Sequence, residues 1–395
     1  MPDAWNDLLA RWRTGAAERE RGRDLPFAAV AELREQRFGA LRLPRTIGGA
    51  DASLVDVLTR IVELAEVDSN LAHIWRGHIA FVEQLRWDGW HTDAAARWLP
   101  RLAAGEVMGN AFSERAETAE LTTRLVDTGQ DGLRVTGTKH YTTGSLYADW
   151  VHVAAIAPSG ERVALAVRTD SPGVSIIDDW DGFGQPLTAS GTTILDAVAV
   201  DPADVFPVTP EDEDRHRYLR GVYQLSLLAV VAGIARRAVA DTVDFVRPRR
   251  RTFGHAGETR PIDDPLVHLV VGEISATASA ARRIVLGVAA DLETAASVRD
   301  AELLTRAELD VYRAQHTVTE SVLTATSRLF EVGGASATSR SRGLDRHWRN
   351  VRTIASHNPV LQRVAAVGRF ELDGTRPAWA APGAATRVAA SVPAT

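Results

Sequence analysis

The stretch VHVAAIAPSGERVALAVR, residues 151–168, breaks the rhythm of the chain around it. Val151, Val153 and Ala155, then Val163, Leu165 and Val167, occupy alternate positions on either side of APSGE. Alternation at a period of two puts those side chains on one face of an extended segment, and the Pro-Ser-Gly turn reverses the chain. Two antiparallel strands are predicted. They belong to a zone of short periods from about Gly105 to Pro207. Outside it the period lengthens. FAAVAELREQR (27–37) and SLVDVLTRIVELAEV (53–67) repeat apolar residues at steps of three and four, with LPRTIGG breaking the pattern between them. Beyond VDPADVFPVTPEDED (200–214), Val222, Leu225, Ala229 and Ala232 share one face. Leu304, Ala307, Val311, Ala314, Val318, Val322, Ala325 and Leu329 form a stripe too long for a strand. Long helices bury such stripes against one another, so a C-terminal bundle follows. The predicted fold class is α+β: an N-terminal helical domain (1–103), a central antiparallel, barrel-like β domain (104–207), a C-terminal four-helix bundle (208–375) and an Ala/Pro-rich flexible tail (376–395).

Composition narrows the chemistry. At 395 residues, 45% hydrophobic and 24% charged, the chain can bury sizeable cores. A formal net charge of −6 supplies no basic surface, so neither nucleic acid nor an anionic membrane is an expected partner. There is no cysteine, which excludes disulfides, thiolate catalysis and cysteine-ligated metals. HExxH is missing, and His73 and His78 are five apart instead of the four that place a metal pair on one helix face, so no metal is expected. Neither GxGxxG after a strand nor GxxxxGK[ST] occurs, so no nicotinamide or nucleotide fold is visible. MPDAWNDLLARWR lacks a secretory pattern, and the near-apolar run LSLLAVVAGIA (225–235) is shorter than the roughly 20 residues of a membrane span. A soluble, cytoplasmic protein is expected.

Five segments in order carry a resemblance to a known family: LRLPRTIGGADASLVDVLTRIVELAEVDSNLA (41–72), GNAFSE (109–114), LRVTGTKHYTTGSLYADWVHVAA (133–155), RRTFG (250–254) and LFEVGGASA (329–337). Together they resemble the acyl-CoA dehydrogenase fold family over nearly the whole chain. Dehydrogenases of that family remove an α-proton with a glutamate held at one of two places in the bundle. Here neither place offers one: no Asp or Glu occurs from Arg215 to Ala240 or from Arg346 to Phe370. SHNPV (356–360) stands where the dehydrogenases carry their glutamate corner. RHWRNVRTIASHNPV (346–360) and WDGFGQPLTASGT (180–192) resemble instead the flavin-dependent monooxygenase branch exemplified by dibenzothiophene monooxygenase. Pro186 departs from the arginine common there after Phe-Gly-Gln.

What the resemblance implies is a two-component enzyme. A separate flavin reductase supplies FMNH2, O2 adds to it to form a C4a-hydroperoxyflavin, and a small heteroatom-containing or aromatic substrate is oxygenated by a homotetramer. FMN is favoured over FAD, because no glutamine follows Arg250 in IDDPLVHLVV (262–271). The implied catalytic set is His357, Asn110, Ser113 and His78, with His357 donating to or shuttling a proton for the peroxide. The implied cofactor set is Phe112, Ser113, Tyr141, Thr143, Arg250, Gly333, Gly334 and Asn358. Taken alone, several of these residues admit plainer readings: Asn358 before Pro359 as turn chemistry, Tyr141 and Phe112 as core packing, and RPRRRTFG (247–254) as a solvated loop. A dehydrogenase with an atypical base and a flavin-less binding protein are the alternatives at the level of function.

Overall fold

The computed structural model describes residues 2–115, 120–209, 212–250 and 260–377. Nearly all of the predicted tail, from residue 378 on, and residues 251–259, which include the end of the arginine-rich run, lie outside the described residues.

The N-terminal domain comprises α1 (Pro2–Arg13), α2 (Ala16–Gly22), α3 (Phe27–Glu35), α4 (Leu54–Val67), α5 (Ser69–Ile74), α6 (Arg76–Asp88) and α7 (Asp93–Ala103). Helix α4 starts where the sequence supplies a reciprocal cap. Ser53 Oγ accepts from the Asp56 N–H, and the Asp56 carboxylate accepts from the Ser53 N–H. Asp68 then leaves the helical region at φ −150° and caps α5 through Asn70 N and Leu71 N. That break turns α5 out of the line of α4 and sets the direction of His73.

The β domain holds β1 (Met108–Ala111), β2 (Arg124–Asp127), β3 (Leu133–Lys139), β4 (Trp150–Ile156), β5 (Arg162–Arg168), β6 (Val174–Ile177), β7 (Thr192–Val200) and β8 (Val205–Pro207). Their order in the sheet is β6-β7-β3-β2-β4-β5-β8, with β1 against β4. The 151–168 hairpin forms in the register its alternation demands: Val151 faces Val167, Val153 faces Leu165 and Ala155 faces Val163. Two features depart from the sequence reading. The β1–β4 pair is parallel, so the domain is not wholly antiparallel. The other face of the hairpin, with Trp150, Ala164 and Ala166, is buried too, because α6 and α7 cover it.

The remaining helices are α8 (Glu213–Val246), α9 (Pro265–Val298), α10 (Ala301–Arg328), α11 (Asp345–Ala355) and α12 (Val360–Asp373). All eight residues of the predicted α10 stripe, Leu304 to Leu329, are buried. Helix α8 exceeds its predicted single apolar face: every residue from Leu225 to Ala235 is buried, because α4, α9 and α10 all pack on it. It is long and apolar enough to cross a membrane, yet 83% of its most apolar window is buried within the protein.

One ion cluster ties the domains together. Arg42 pairs with Glu83 of α6 and donates to Glu293 of α9 at 2.6 Å, while the Tyr218 hydroxyl of α8 donates to Glu83 at 2.5 Å. Glu83 is fully buried, so it depends on these donors for solvation. Arg42→Met should destabilise the protein by about 3–5 kcal/mol, the usual effect of stranding one member of a buried pair. Adding Glu83→Gln should recover part of that loss, read as the midpoint of denaturant unfolding.

Candidate active site

The β domain, α5 and the corner between α11 and α12 meet around a cavity of about 410 Å³, within the ~300–1,000 Å³ range of small-molecule and cofactor sites. Its floor comes from two strand ends. Ser113, just beyond β1, accepts the His140 N–H through its carbonyl at 2.9 Å and turns its side chain to the cavity. The next residue, Glu114, holds this end down by accepting from Lys139, Thr122 and Thr123. Burial works against the Glu114 charge, but those donors bring its pKa down to about 2. Tyr141 adopts φ +60° and stands out of the core, its ring edge-on to Trp180 at 6.1 Å. Core packing is therefore not its role.

A run of hydroxyls gives Thr143 a defined polarity. Thr188 Oγ1 donates to the Gln185 carbonyl at 2.9 Å, so it accepts from Ser190 Oγ at 2.8 Å. Ser190 has then spent its hydrogen and accepts from Thr143 Oγ1 at 2.7 Å. Thr143 is left with lone pairs and no hydrogen for the cavity.

The far wall is the 179–191 loop. Asp179 anchors its start by accepting from Thr192 N and Oγ1, each at 2.7 Å. Gly184 must be glycine, since a Cβ there would sit 2.3 Å from the Arg349 carbonyl of α11. Gln185 follows at φ +55°, and its amide N–H donates to Asn350 Oδ1 at 2.6 Å. Its side chain donates from Nε2 to Ser69 Oγ at 2.9 Å and accepts at Oε1 from His73 Nδ1 at 3.1 Å. That pairing places the His73 hydrogen on Nδ1 and leaves Nε2, buried without a partner, as an acceptor in the cavity wall.

His357 completes the site 6.4 Å from His73 between ring centroids. Arg76 Nη1 donates to its Nε2 at 2.9 Å, and an arginine can only donate, so the His357 hydrogen is on Nδ1. Burial, reinforced by the Arg76 charge, lowers the His73 pKa to about 3. His357 is lowered too, by its packed surroundings and by the Arg76 charge, but it keeps an exposed surface, so the Arg76 contact is the firmer cause. Both imidazoles are neutral at pH 7. Among the described residues, none that lines the cavity is Asp or Glu.

Ser113, Tyr141, Thr143 and His357 are thus brought together, and five other expectations need correction. His78 does not face substrate: its Nε2 donates to the Gly39 carbonyl at 2.9 Å and its Nδ1 accepts from Met108 N at 3.2 Å, bracing α6 against β1. Phe112 points to the other side of its strand, edge-on to His152 at 5.0 Å. Asn110 is buried against α6, where a Cβ on Gly77 would come within 2.8 Å of its own Cβ. Asn358 spends its amide on Gln224 Oε1 at 2.7 Å and so pins the corner to α8. Arg250, Gly333 and Gly334 lie at the opposite end of the bundle. Arg249, next to Arg250, bonds the Gly333 carbonyl beside Phe245, 22 residues from Tyr223 along α8. That is about 33 Å of helix, too far to share one flavin with Thr143 in the same chain. The residues missed are His73, Gln185, Trp180 and Phe183. Gln185 lies in a quoted motif, but its partner His73 is 112 positions away, and no local pattern joins them.

Comparison with known proteins places this geometry. The chain matches the acyl-CoA dehydrogenase N-terminal domain over residues 8–106 and the acyl-CoA dehydrogenase C-terminal domain over residues 225–362. It is 30% identical to dibenzothiophene monooxygenase of Mycolicibacterium goodii, over 94% of this chain and 93% of that protein. The crystal structure of FMN-bound TdsC from Paenibacillus sp. A11-2 superposes with a TM-score of 0.88 at 28% identity, covering 95% of this chain and 98% of that one. Methanesulfinate monooxygenase MsuC from Pseudomonas fluorescens gives 0.85 at 26%, covering 95% and 97%. Fold and site together define the acyl-CoA dehydrogenase fold with its carboxylate base missing. Within that fold, the chain belongs to the flavin-dependent monooxygenase family that includes dibenzothiophene monooxygenase.

The buried histidines have a pH signature. His73 and His152 are pushed down to about 3, and His78 and His347 to about 4, in each case chiefly by burial. The unfolded chain binds protons near pH 6.5 that the folded chain refuses, so this stability is complete above pH 6.5 and is lost as pH falls toward 4 and then 3. The melting temperature should be flat above pH 7 and drop steeply between pH 6 and 4. A flat acid limb would contradict the neutral assignment.

Proposed function

We propose that this protein is the oxygenase half of a two-component system in the cytoplasm. It takes up FMNH2 made by a separate reductase and places one atom of O2 on a small organic substrate, the other leaving as water. Bound FMNH2 would supply the two electrons and two protons that balance this transfer. The observation that carries the reading is the cavity wall, which holds two neutral imidazoles and, among the described residues, no carboxylate. Removal of an α-proton from a thioester needs a fixed base, and the wall lacks one of the dehydrogenase kind. A negative side chain would oppose charge developing on activated oxygen, whereas neutral donors and acceptors do not.

The residues present fit a flavin ring in its reduced form. Thr143 Oγ1 offers only lone pairs, which complement an N–H at the flavin N5, a position that carries hydrogen only after reduction. Ser113 offers a hydroxyl from the neighbouring strand end, and Tyr141 and Trp180 frame the edge of the cavity. His73 Nε2 is positioned to accept a hydrogen bond, and His357 holds a hydrogen at Nδ1, so the two rings divide the acceptor and donor roles between them.

Among the relatives are a dibenzothiophene monooxygenase and a methanesulfinate monooxygenase, one for a neutral thiophene and one for an anionic sulfinate, so the inner wall has to decide which kind of molecule enters here. Association as a homotetramer would cover exposed apolar side chains on α9 and α12, among them Leu266, Leu361 and Leu372. It would also let Arg250, Gly333 and Gly334 of one copy approach the flavin of another.

Mixing the protein with FMNH2 without oxygen and then admitting oxygen should give a transient absorbing species distinct from both reduced and oxidised flavin. Oxidation with no lag and no such species would refute the reading. His357→Ala should lower product formation about a hundredfold, the usual size of a lost acid–base group, and divert reduced flavin to H2O2, measured as product per flavin consumed. Thr143→Val, which removes the lone pairs at nearly constant volume, should weaken FMNH2 binding more than FMN binding.

A further inference from the structure

Among the described residues three arginines are buried: Arg42, Arg76 and Arg217. Two of them are compensated. Arg42 meets Glu83 and Glu293, and Arg217 meets Glu213, Asp214 and Glu308. Arg76, 7% exposed, makes no ion pair with any described residue. Its Nε donates to the Tyr223 carbonyl at 3.2 Å, its Nη1 to His357 Nε2 at 2.9 Å, and its guanidinium lies over the Tyr223 ring at 4.7 Å. All three partners are neutral. Nη2 has no hydrogen bond to a described residue.

Burial lowers the Arg76 pKa only to about 10, so the charge persists at pH 7. The neighbouring sequence reinforces the imbalance, since no Asp or Glu occurs in 215–240 or in 346–370, the segments that supply Tyr223 and His357. A buried cation with a spare donor edge and only neutral contacts is poised for an anion, because a guanidinium recognises oxyanions through paired N–H groups. Arg76 reaches the cavity through His357, which lines it together with Trp180 and Phe183, so apolar surface for the rest of such a molecule lies close by.

We propose that Arg76 forms the anion-binding end of the substrate site, and that the molecule oxygenated is a small organic acid of the carboxylate or sulfinate class. The proposal rests on the monooxygenase reading for the oxygenation, but not for the binding. For a sulfinate the transfer balances as R–SO2⁻ + FMNH2 + O2 giving R–SO3⁻ + FMN + H2O.

The flavin's phosphate is the other anion that could seek this guanidinium, and the test separates the two. Flavin-free protein is titrated with benzenesulfinate and benzoate, and with the neutral methyl phenyl sulfone and benzamide, followed by tryptophan fluorescence and thermal shift. The anions should bind at least tenfold more tightly than the neutral molecules. Arg76→Met should abolish that preference, Arg76→Lys should retain part of it, and the ratio of FMN to riboflavin affinity should be unchanged in both. Equal binding of anions and neutral molecules by the unmodified protein overturns the proposal even if the Met variant does not fold. So does an Arg76→Met protein that still discriminates. Collapse of the FMN-to-riboflavin ratio in either variant would assign Arg76 to the cofactor phosphate instead. Anion-selective binding without any oxygenated product under FMNH2 and O2 would leave the anion site standing and overturn the statement that the bound acid is the molecule oxygenated.

Discussion

Gln185 is the joint on which the site depends. Its side chain reaches Ser69 and His73 of the N-terminal domain, its amide reaches Asn350 of the C-terminal domain, and it belongs to a loop of the β domain. Its carbonyl accepts from Trp180 Nε1 at 3.0 Å and from Thr188 Oγ1, which ties the aromatic wall and the Thr143 hydroxyl run to the same residue. The left-handed backbone at this position costs about 1–3 kcal/mol. Buried hydrogen bonds at about 1 kcal/mol each offset it. The geometry of one residue therefore fixes which nitrogen of His73 bears hydrogen and which way Thr143 points. The three domains are coupled through chemistry as well as through packing.

Much of the fold was legible in the chain because periodicity reports burial directly. The alternation in 151–168 matches the observed register pair by pair, and the α10 stripe is buried along its whole length. Where the pattern misled, a second covering layer was the cause: α8 and the 151–168 hairpin are enclosed on faces that the pattern does not distinguish from solvent-facing ones. The site was less legible. Ser113, Thr143 and His357 sit at strand ends or at a helix corner, where sequence and position go together. His73 and His78 have similar local surroundings in HIWRGHIAF, and only the contacts of Gln185 with one and of Gly39 and Met108 with the other separate a cavity wall from a brace. The sequence sets Arg76 beside His78 on a helix that could border the substrate, but its lack of a counter-charge is a property of three dimensions.

The same scaffold can serve opposite chemistries because function resides in the groups placed on it. A dehydrogenase needs a carboxylate at the bundle wall, and here that wall carries His357, which an arginine of the N-terminal domain touches. Desolvation and the arginine's charge together lower both nearby imidazoles, which keeps the site free of additional positive charge while leaving one lone pair on His73 Nε2 and one hydrogen on His357 Nδ1. Neutrality of the rings and the single retained charge are thus one electrostatic arrangement.

Helix α8 carries a consequence for biosynthesis. Its apolar window is long, and it leaves the ribosome before α9 and α10 exist to cover it. Helix α4, already made and packed against α8 in the finished protein, is the partner at hand. The order of domains along the gene therefore supplies the hydrophobic helix with a waiting surface, so a chain shortened at its N-terminus would expose a segment that chaperones and membranes both compete to capture.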